Sequence, residues 1–206
     1  MLTVNDLACV RGDRRLFAGL AFTLEPRTWI YLAGENGVGK TSLLRMLVGL
    51  APVEAGEILW QGTPIARLGD DYRRAVTYLG HHNALKEELT GRENLCVGAA
   101  LAGQHLAAPQ ADALLARLGL AGREELPVRY FSQGQKRRVA LARLLWSNAP
   151  LWVLDEPFVA LDTAAVAWLA TTLAEHLAGG GMAILTSHQE VMIEGNTAQQ
   201  LRLERS

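Results

Sequence analysis

Eight consecutive residues, Gly34, Glu35, Asn36, Gly37, Val38, Gly39, Lys40 and Thr41, have the types and spacing needed to hold a phosphate chain. Glycines at three of the eight positions let successive backbone N–H groups curl round an anion with no Cβ in the way. Lys40 would reach the β- and γ-phosphates, Thr41 would hold Mg²⁺, and Ser42 stands next to the same anion. The pattern arises by chance in roughly one chain in a hundred of this length. A plain Gly-rich turn is therefore the weaker reading.

Two further groups could take part in the same chemistry. Asp155 and Glu156 follow the apolar run Leu-Trp-Val-Leu at 151–154, and in an open parallel sheet ligands are met at the carboxyl ends of strands. Asp155 suits the coordination sphere of Mg²⁺, directly or through water, and Glu156 could take a proton from an attacking water. Ser132, Gln133, Gly134 and Gln135 follow Phe131 and precede a helix that should run to about Trp146. Ser132 is a natural N-cap, and a glycine this near a helix start leaves N–H groups open to a second anion.

The elements that must position these groups can be read from periodicity. Residues 29–33 are apolar at every position and predict a buried strand. After the loop, Leu43, Leu44, Leu47, Val48 and Leu50 fall at helical spacing, so strand, loop and helix come in the order a phosphate loop requires. Residues 2–10 alternate loosely and predict an edge strand, residues 11–15 a turn, and 20–24 and 56–60 two more strands. Residues 75–79 read as a core strand that stops at Gly80. From there to about Leu126, Ala and Leu recur at helical spacing, with helices at 92–102 and 109–118. Buried strands at 151–154 and 182–187 flank an amphipathic helix at 163–178, and 198–203 closes the chain as an edge strand. The expected class is α/β: a parallel-sheet core over about 1–82 and 150–206, a small antiparallel β-layer, and a helical subdomain inserted at about 83–149.

Bulk properties narrow the function. The 206 residues carry a formal net charge of −1 and are 50% hydrophobic, which argues against a nucleic-acid binder that relies on a basic face. Two cysteines, Cys9 and Cys96, need no disulfide framework, and both read as small core residues. The longest apolar stretch, around 95–102, is too short for a membrane span, and no signal-peptide layout precedes it. The expectation is a cytoplasmic protein whose membrane role, if any, comes through a partner.

Together, the phosphate loop, FSQGQ at 131–135, LWVLDE at 151–156, Ala160-Leu161-Asp162, and His188 after AILTS resemble an ATP-binding-cassette ATPase, a branch of the P-loop NTPases, over nearly the whole chain. Within that superfamily the chain is similar to the cytochrome c maturation ATPases, the ATP-binding subunits of the haem-exporter complex. The residues behind this are Leu59-Trp-Gln-Gly62, Leu79-Gly-His-His82, Glu93-Asn-Leu95, Arg137-Arg-Val-Ala-Leu-Ala-Arg143, the Asp155-Glu-Pro-Phe158 run and Thr186-Ser-His-Gln189.

The resemblance implies ATP and Mg²⁺ as cofactors and a second copy of the chain as partner. Two copies would pair head to tail on binding ATP, Ser132 to Gln135 of one capping the γ-phosphate held by Lys40 of the other. One phosphate loop and one such signature per chain support that pairing independently. Asp162 would lie at the dimer seam, and His188 would sense the γ-phosphate. Integral-membrane permease subunits would hold the protein peripherally at the cytoplasmic face of the inner membrane, to drive haem export or release of a haem-loaded chaperone. Two positions depart from the usual pattern. Arg11, beside Gly12, stands where most cassettes stack an aromatic ring on adenine, and a guanidinium plane can stack there too. His81 stands where a Gln usually meets Mg²⁺ and the membrane partner, and a neutral imidazole can make the same contact; its neighbour His82 reads as a surface residue. The alternatives are an ATPase for another small export, and a phosphate-loop kinase, for which FSQGQ would have no use. A DNA-repair or translation cassette would need a long coiled coil or a second cassette, and the chain has room for neither. The cargo leaves no trace in the sequence.

Overall fold

The computed structural model describes residues 1–187, 193 and 198–204. In chain order the strands are β1 (Leu2–Arg11), β2 (Arg14–Leu24), β3 (Trp29–Ala33), β4 (Ala55–Trp60), β5 (Thr63–Pro64), β6 (Val76–Leu79), β7 (Leu151–Leu154), β8 (Met182–Leu185) and β9 (Ala198–Arg202). The helices are α1 (Lys40–Leu47), α2 (Ile65–Leu68), α3 (Asp70–Arg74), α4 (Gly91–Leu101), α5 (Ala108–Arg117), α6 (Gln133–Leu141), α7 (Arg143–Trp146) and α8 (Thr163–Ala178). They form an α/β fold with two sheets.

One sheet is antiparallel, in the order β2-β1-β4-β5. Strand β1 is therefore not an edge: it pairs with β2 on one side and β4 on the other. Leu2, Val4, Leu7 and Cys9 are buried along it, and the exposed Asn5 and Asp6, which loosen its alternation, mark register shifts in both ladders. Asp6 has φ 47, so the irregularity is a bulge inside the sheet. Strand β2 starts at Arg14, earlier than the apolar residues alone suggest, because exposed arginines can occupy the ladder as well as valines can.

The other sheet has the order β6-β7-β8-β3-β9, and β3 pairs in parallel with both β8 and β9. Every residue of β7 and β8 is buried, as expected of strands covered on both faces. Strands β6 and β9 are its edges. This order places β3, which feeds the phosphate loop, one strand away from the carboxyl end of β7 through β8.

The chain divides into two compact units, Met1–Tyr78 with Ala149–Pro157 and Ala170–Ser206, and Leu79–Asn148 with Phe158–Leu169. The first has a core built on Leu2, Ile30, Leu43, Leu47, Val153 and Ile184, and includes Cys9. The second is built on Leu95, Leu115, Val128, Phe131 and Val139, with half-buried Cys96 packed against it. It takes in Phe158–Leu169, outside the stretch of about 83–149 expected to form the inserted helical subdomain, and Trp168 packs against its core.

In this unit α4 opens on a full capping box between Thr90 and Glu93. The helix expected from Ser132 to Trp146 is interrupted at Ala142. There the N–H is shared between Arg138 O and Val139 O, and Leu145 N then donates to Ala142 O. The ladder thus tightens from four-residue to three-residue spacing and the helix divides.

Candidate functional site

In the first unit β3 ends at Ala33 and α1 begins at Lys40, so residues 34–39 form the turn between a buried strand and a helix start. Gly34 has φ 148, and a Cβ there would stand 2.8 Å from Leu203 O and 2.9 Å from Val38 Cγ1. No other residue fits that position. Val38 is buried and pins the middle of the loop, while Glu35, Asn36 and Gly37 are exposed. Lys40 Nζ donates to Gly34 O at 2.6 Å and to Glu35 O at 3.1 Å. The ammonium therefore lies inside the curve of the loop. Gly39 caps α1, and Ser42 is half-buried in its first turn.

The acid pair stands at the carboxyl end of β7. Thr41 Oγ1 donates to Asp155 Oδ2 at 2.8 Å, which joins the start of α1 to the end of β7. Thr186 Oγ1 donates to Asp155 Oδ1 at 2.8 Å and accepts the backbone N–H of Glu156 at 2.8 Å. Asp155 and Glu156 are both buried, and Glu156 has φ 49, unusual for a residue with a side chain. Nearby, burial raises the Tyr78 phenol above its ordinary value; Asp155 adds to the rise and Arg45 opposes it. Tyr31 of β3 donates its hydroxyl hydrogen to Ser187 O at 2.7 Å.

A hydroxyl and a carboxylate in contact are hard oxygen donors of the kind Mg²⁺ takes, usually with substrate phosphates and water completing the shell. Among the described residues no three His, Cys, Asp or Glu side chains gather as a metal site. Thr41 and Asp155 are the two oxygen donors that stand together here. Arg11, at the exposed end of β1, pairs across the hairpin turn with Arg14.

The second unit carries the other residues singled out from the sequence. Ser132 Oγ accepts Gln135 N at 3.3 Å, and Gln135 Oε1 accepts Ser132 N at 2.9 Å, so the two form a capping box at the start of α6. Ser132 and Gln133 are exposed and Gly134 is half-buried. Asp162 caps α8: its Oδ1 accepts Ala165 N at 2.9 Å, and its Oδ2 pairs with Arg138. The Ala165 N–H foremost, and then the Arg138 charge, hold this carboxyl below its usual range.

His81 and His82 are exposed on a bend, ring edge to ring face at 5.5 Å. That bend is held by buried Arg137, whose Nη1 donates to Gly80 O and Asn83 Oδ1, each at 3.1 Å. His188 lies outside the described residues.

Thr186, Arg137 and Arg138 stand in runs that carry the resemblance, but the sequence assigned none of them a role at the site. For Thr186 a signal existed: a hydroxyl directly after four apolar strand residues occupies the same carboxyl end that drew attention to Asp155. Arg137 and Arg138 sit in a basic run that reads as a solvated helix face, and nothing local marks one of them as buried.

A family model described as ABC transporter matches residues 17–159. The chain belongs to the ABC transporter family. The cytochrome c biogenesis ATP-binding export protein CcmA of Dechloromonas aromatica (strain RCB) is 59% identical over 203 residues, covering 98% of this chain and 100% of that protein. The protein of the same name from Albidiferax ferrireducens (strain ATCC BAA-621 / DSM 15236 / T118) is 55% identical, covering 98% of this chain and 96% of that one. Within the family this ABC subunit groups with the CcmA-type ATP-binding subunits. A solved structure described as the ATP binding subunit of an ABC transporter superimposes with a TM-score of 0.82 at 29% identity, covering 91% of this chain and 79% of that one. Among the described residues no helix is long and apolar enough to cross a membrane.

Proposed function

We propose that the chain is the ATP-hydrolysing subunit of a cytochrome c biogenesis export system, working as a pair of copies beneath integral-membrane partners. The observation that carries this reading is the hydrogen bond from Thr41 Oγ1 to Asp155 Oδ2 at 2.8 Å, which places the hydroxyl of the phosphate loop against the carboxylate of the acid pair.

The backbone N–H groups of residues 34–39 and the Lys40 ammonium bind the β- and γ-phosphates, with Ser42 beside them. Thr41 and Asp155 would hold Mg²⁺, with the His81 imidazole as a further contact, and the ion would neutralise charge developing on the β- and γ-oxygens. Glu156 accepts a proton from the attacking water as that water's oxygen bonds to the γ-phosphorus and the bond to the ADP oxygen breaks. His188 orients the γ-phosphate. Residues Ser132 to Gln135 of the second copy close the same phosphate from the other side, Asp162 lies at the seam, and Arg11 stacks on the base. Hydrolysis opens the pair, and the cycle drives permease subunits in haem export or release of a haem-loaded chaperone. The chain sits peripherally at the cytoplasmic face of the inner membrane and binds no nucleic acid.

The test is replacement of Lys40 in the cell. A charge-assisted contact is worth about 1.5–3 kcal/mol, so Lys40→Ala should weaken ATP binding at least about tenfold and abolish covalent haem attachment to c-type cytochromes. Normal holocytochrome c in a strain carrying only Lys40→Ala would refute the reading.

A further inference from the structure

We infer that Thr186 is a positioning residue for the acid pair, orienting Asp155 and Glu156 together through one hydroxyl. Its side chain is fully buried, and a buried hydroxyl is costly unless its hydrogen bonds are made. Valine would fill the same space without that cost. The position follows β8, and Thr186 N donates to Leu154 O at 3.1 Å, which locks its backbone to the end of β7. From there Oγ1 gives its one hydrogen to Asp155 Oδ1 and takes the Glu156 N–H on a lone pair, both at 2.8 Å.

Two consequences follow from that geometry. Asp155 is gripped at both oxygens, Oδ1 by Thr186 and Oδ2 by Thr41, so rotation of the carboxylate is blocked and Oδ2 is presented at the start of α1. Glu156, at φ 49, occupies a left-handed conformation that a residue with a Cβ does not choose unaided. The bond to Thr186 holds its peptide in that conformation. Because φ sets the direction of the Cα–Cβ bond, Thr186 sets where the Glu156 side chain leaves the backbone.

The inference rests on Glu156 being the base. Thr186→Val and Thr186→Ser separate the hydroxyl from the packing, and Thr186→Ala removes the hydroxyl without adding bulk should Val fail to fold. Misplacing a reacting group by about 1 Å costs on the order of 10²-fold, so Thr186→Val should lower kcat about 10- to 100-fold, with KM for ATP held within about threefold. Thr186→Ser should restore most of the rate. Without nucleotide, amide hydrogen exchange at Glu156 should speed up in Thr186→Val and not in Thr186→Ser. In a Glu156→Gln background, adding Thr186→Val should cost clearly less than in the parent, since the part of the loss that acts through the Glu156 carboxylate is already gone and only the part through Asp155 remains.

Wild-type kcat and unchanged Glu156 exchange in Thr186→Val would overturn the inference. So would an undiminished loss in the Glu156→Gln background. Normal turnover by Glu156→Gln alone would instead remove the base, and the inference with it, so the two failures are distinguishable.

Discussion

A Cβ on Gly134 would stand 2.7 Å from the carbonyl oxygen of Ala160. The start of α6 and the turn before α8 therefore pack backbone against backbone, and Ala160, at φ 62, lies two residues before the α8 cap, Asp162. Gly134→Ala should push that turn aside, at about 1–3 kcal/mol for overpacking, and carry Asp162 with it. ATP binding by the phosphate loop should survive, while ATP-dependent pairing of two copies weakens about tenfold or more. Nucleotide titration and size-exclusion chromatography of the purified variant measure the two separately; unchanged pairing would speak against a role for the 132–135 segment at a dimer seam.

Arg11 ends β1 directly across from Arg14, with both side chains exposed. Like charges facing each other across strands are unfavourable, so neither arginine is explained by the sheet. If Arg11 stacks on adenine, Arg11→Ala should weaken ATP by about 0.5–2 kcal/mol and leave inorganic triphosphate binding unchanged. Arg11→Tyr should restore ATP affinity. An equal loss for ATP and for triphosphate would mark a phosphate contact instead.

Trp152 and His176 stack in the first unit with ring centroids 3.8 Å apart and planes 7° from parallel, and His176 Nε2 lies 3.1 Å from Met182 O. Burial lowers the imidazole pKa below its ordinary 6.5, while contacts to Met182 and Pro150 oppose the shift. The folded state therefore resists the proton that the unfolded chain accepts. The stabilisation is complete above the unfolded value near 6.5 and is lost as pH falls through and below it. His176→Phe should keep the ring stack and remove this dependence. Between pH 7.5 and 5.5 the melting temperature of the parent should fall further than that of His176→Phe; parallel curves would contradict the assignment.

The parts of the fold that were legible are those where one physical signal dominates. Continuous apolar runs marked β3, β7 and β8 because both faces are covered. The amphipathic pattern of α8 predicted its bounds, Thr163–Ala178, because a helix closed by three glycines has few other ends available. What was not legible depends on a second segment. The edge assignment for β1 failed because its Asn5-Asp6 bulge resembles the irregularity of a free edge until β4 is seen beside it. The division of α6 from α7 rests on a bifurcated bond at Ala142 that no residue type announces. At the candidate site the order strand, glycine loop, Lys-Thr, helix could be read directly. The grip of Thr41 and Thr186 on Asp155 could not, because its partners are 114 and 31 residues away in the chain.

In the proposed cycle Glu156 ends the life of an ATP-joined pair of copies in which Ser132 caps the partner's phosphate. Glu156→Gln keeps the shape and removes the proton acceptor, so turnover should drop about 10²- to 10⁴-fold while ATP still binds. Size-exclusion chromatography with ATP, run with the membrane partners present, should show Glu156→Gln as a stable pair. The double variant Glu156→Gln, Ser132→Arg should be nucleotide-bound but unpaired. A double variant that still pairs when ATP is added would contradict the head-to-tail arrangement.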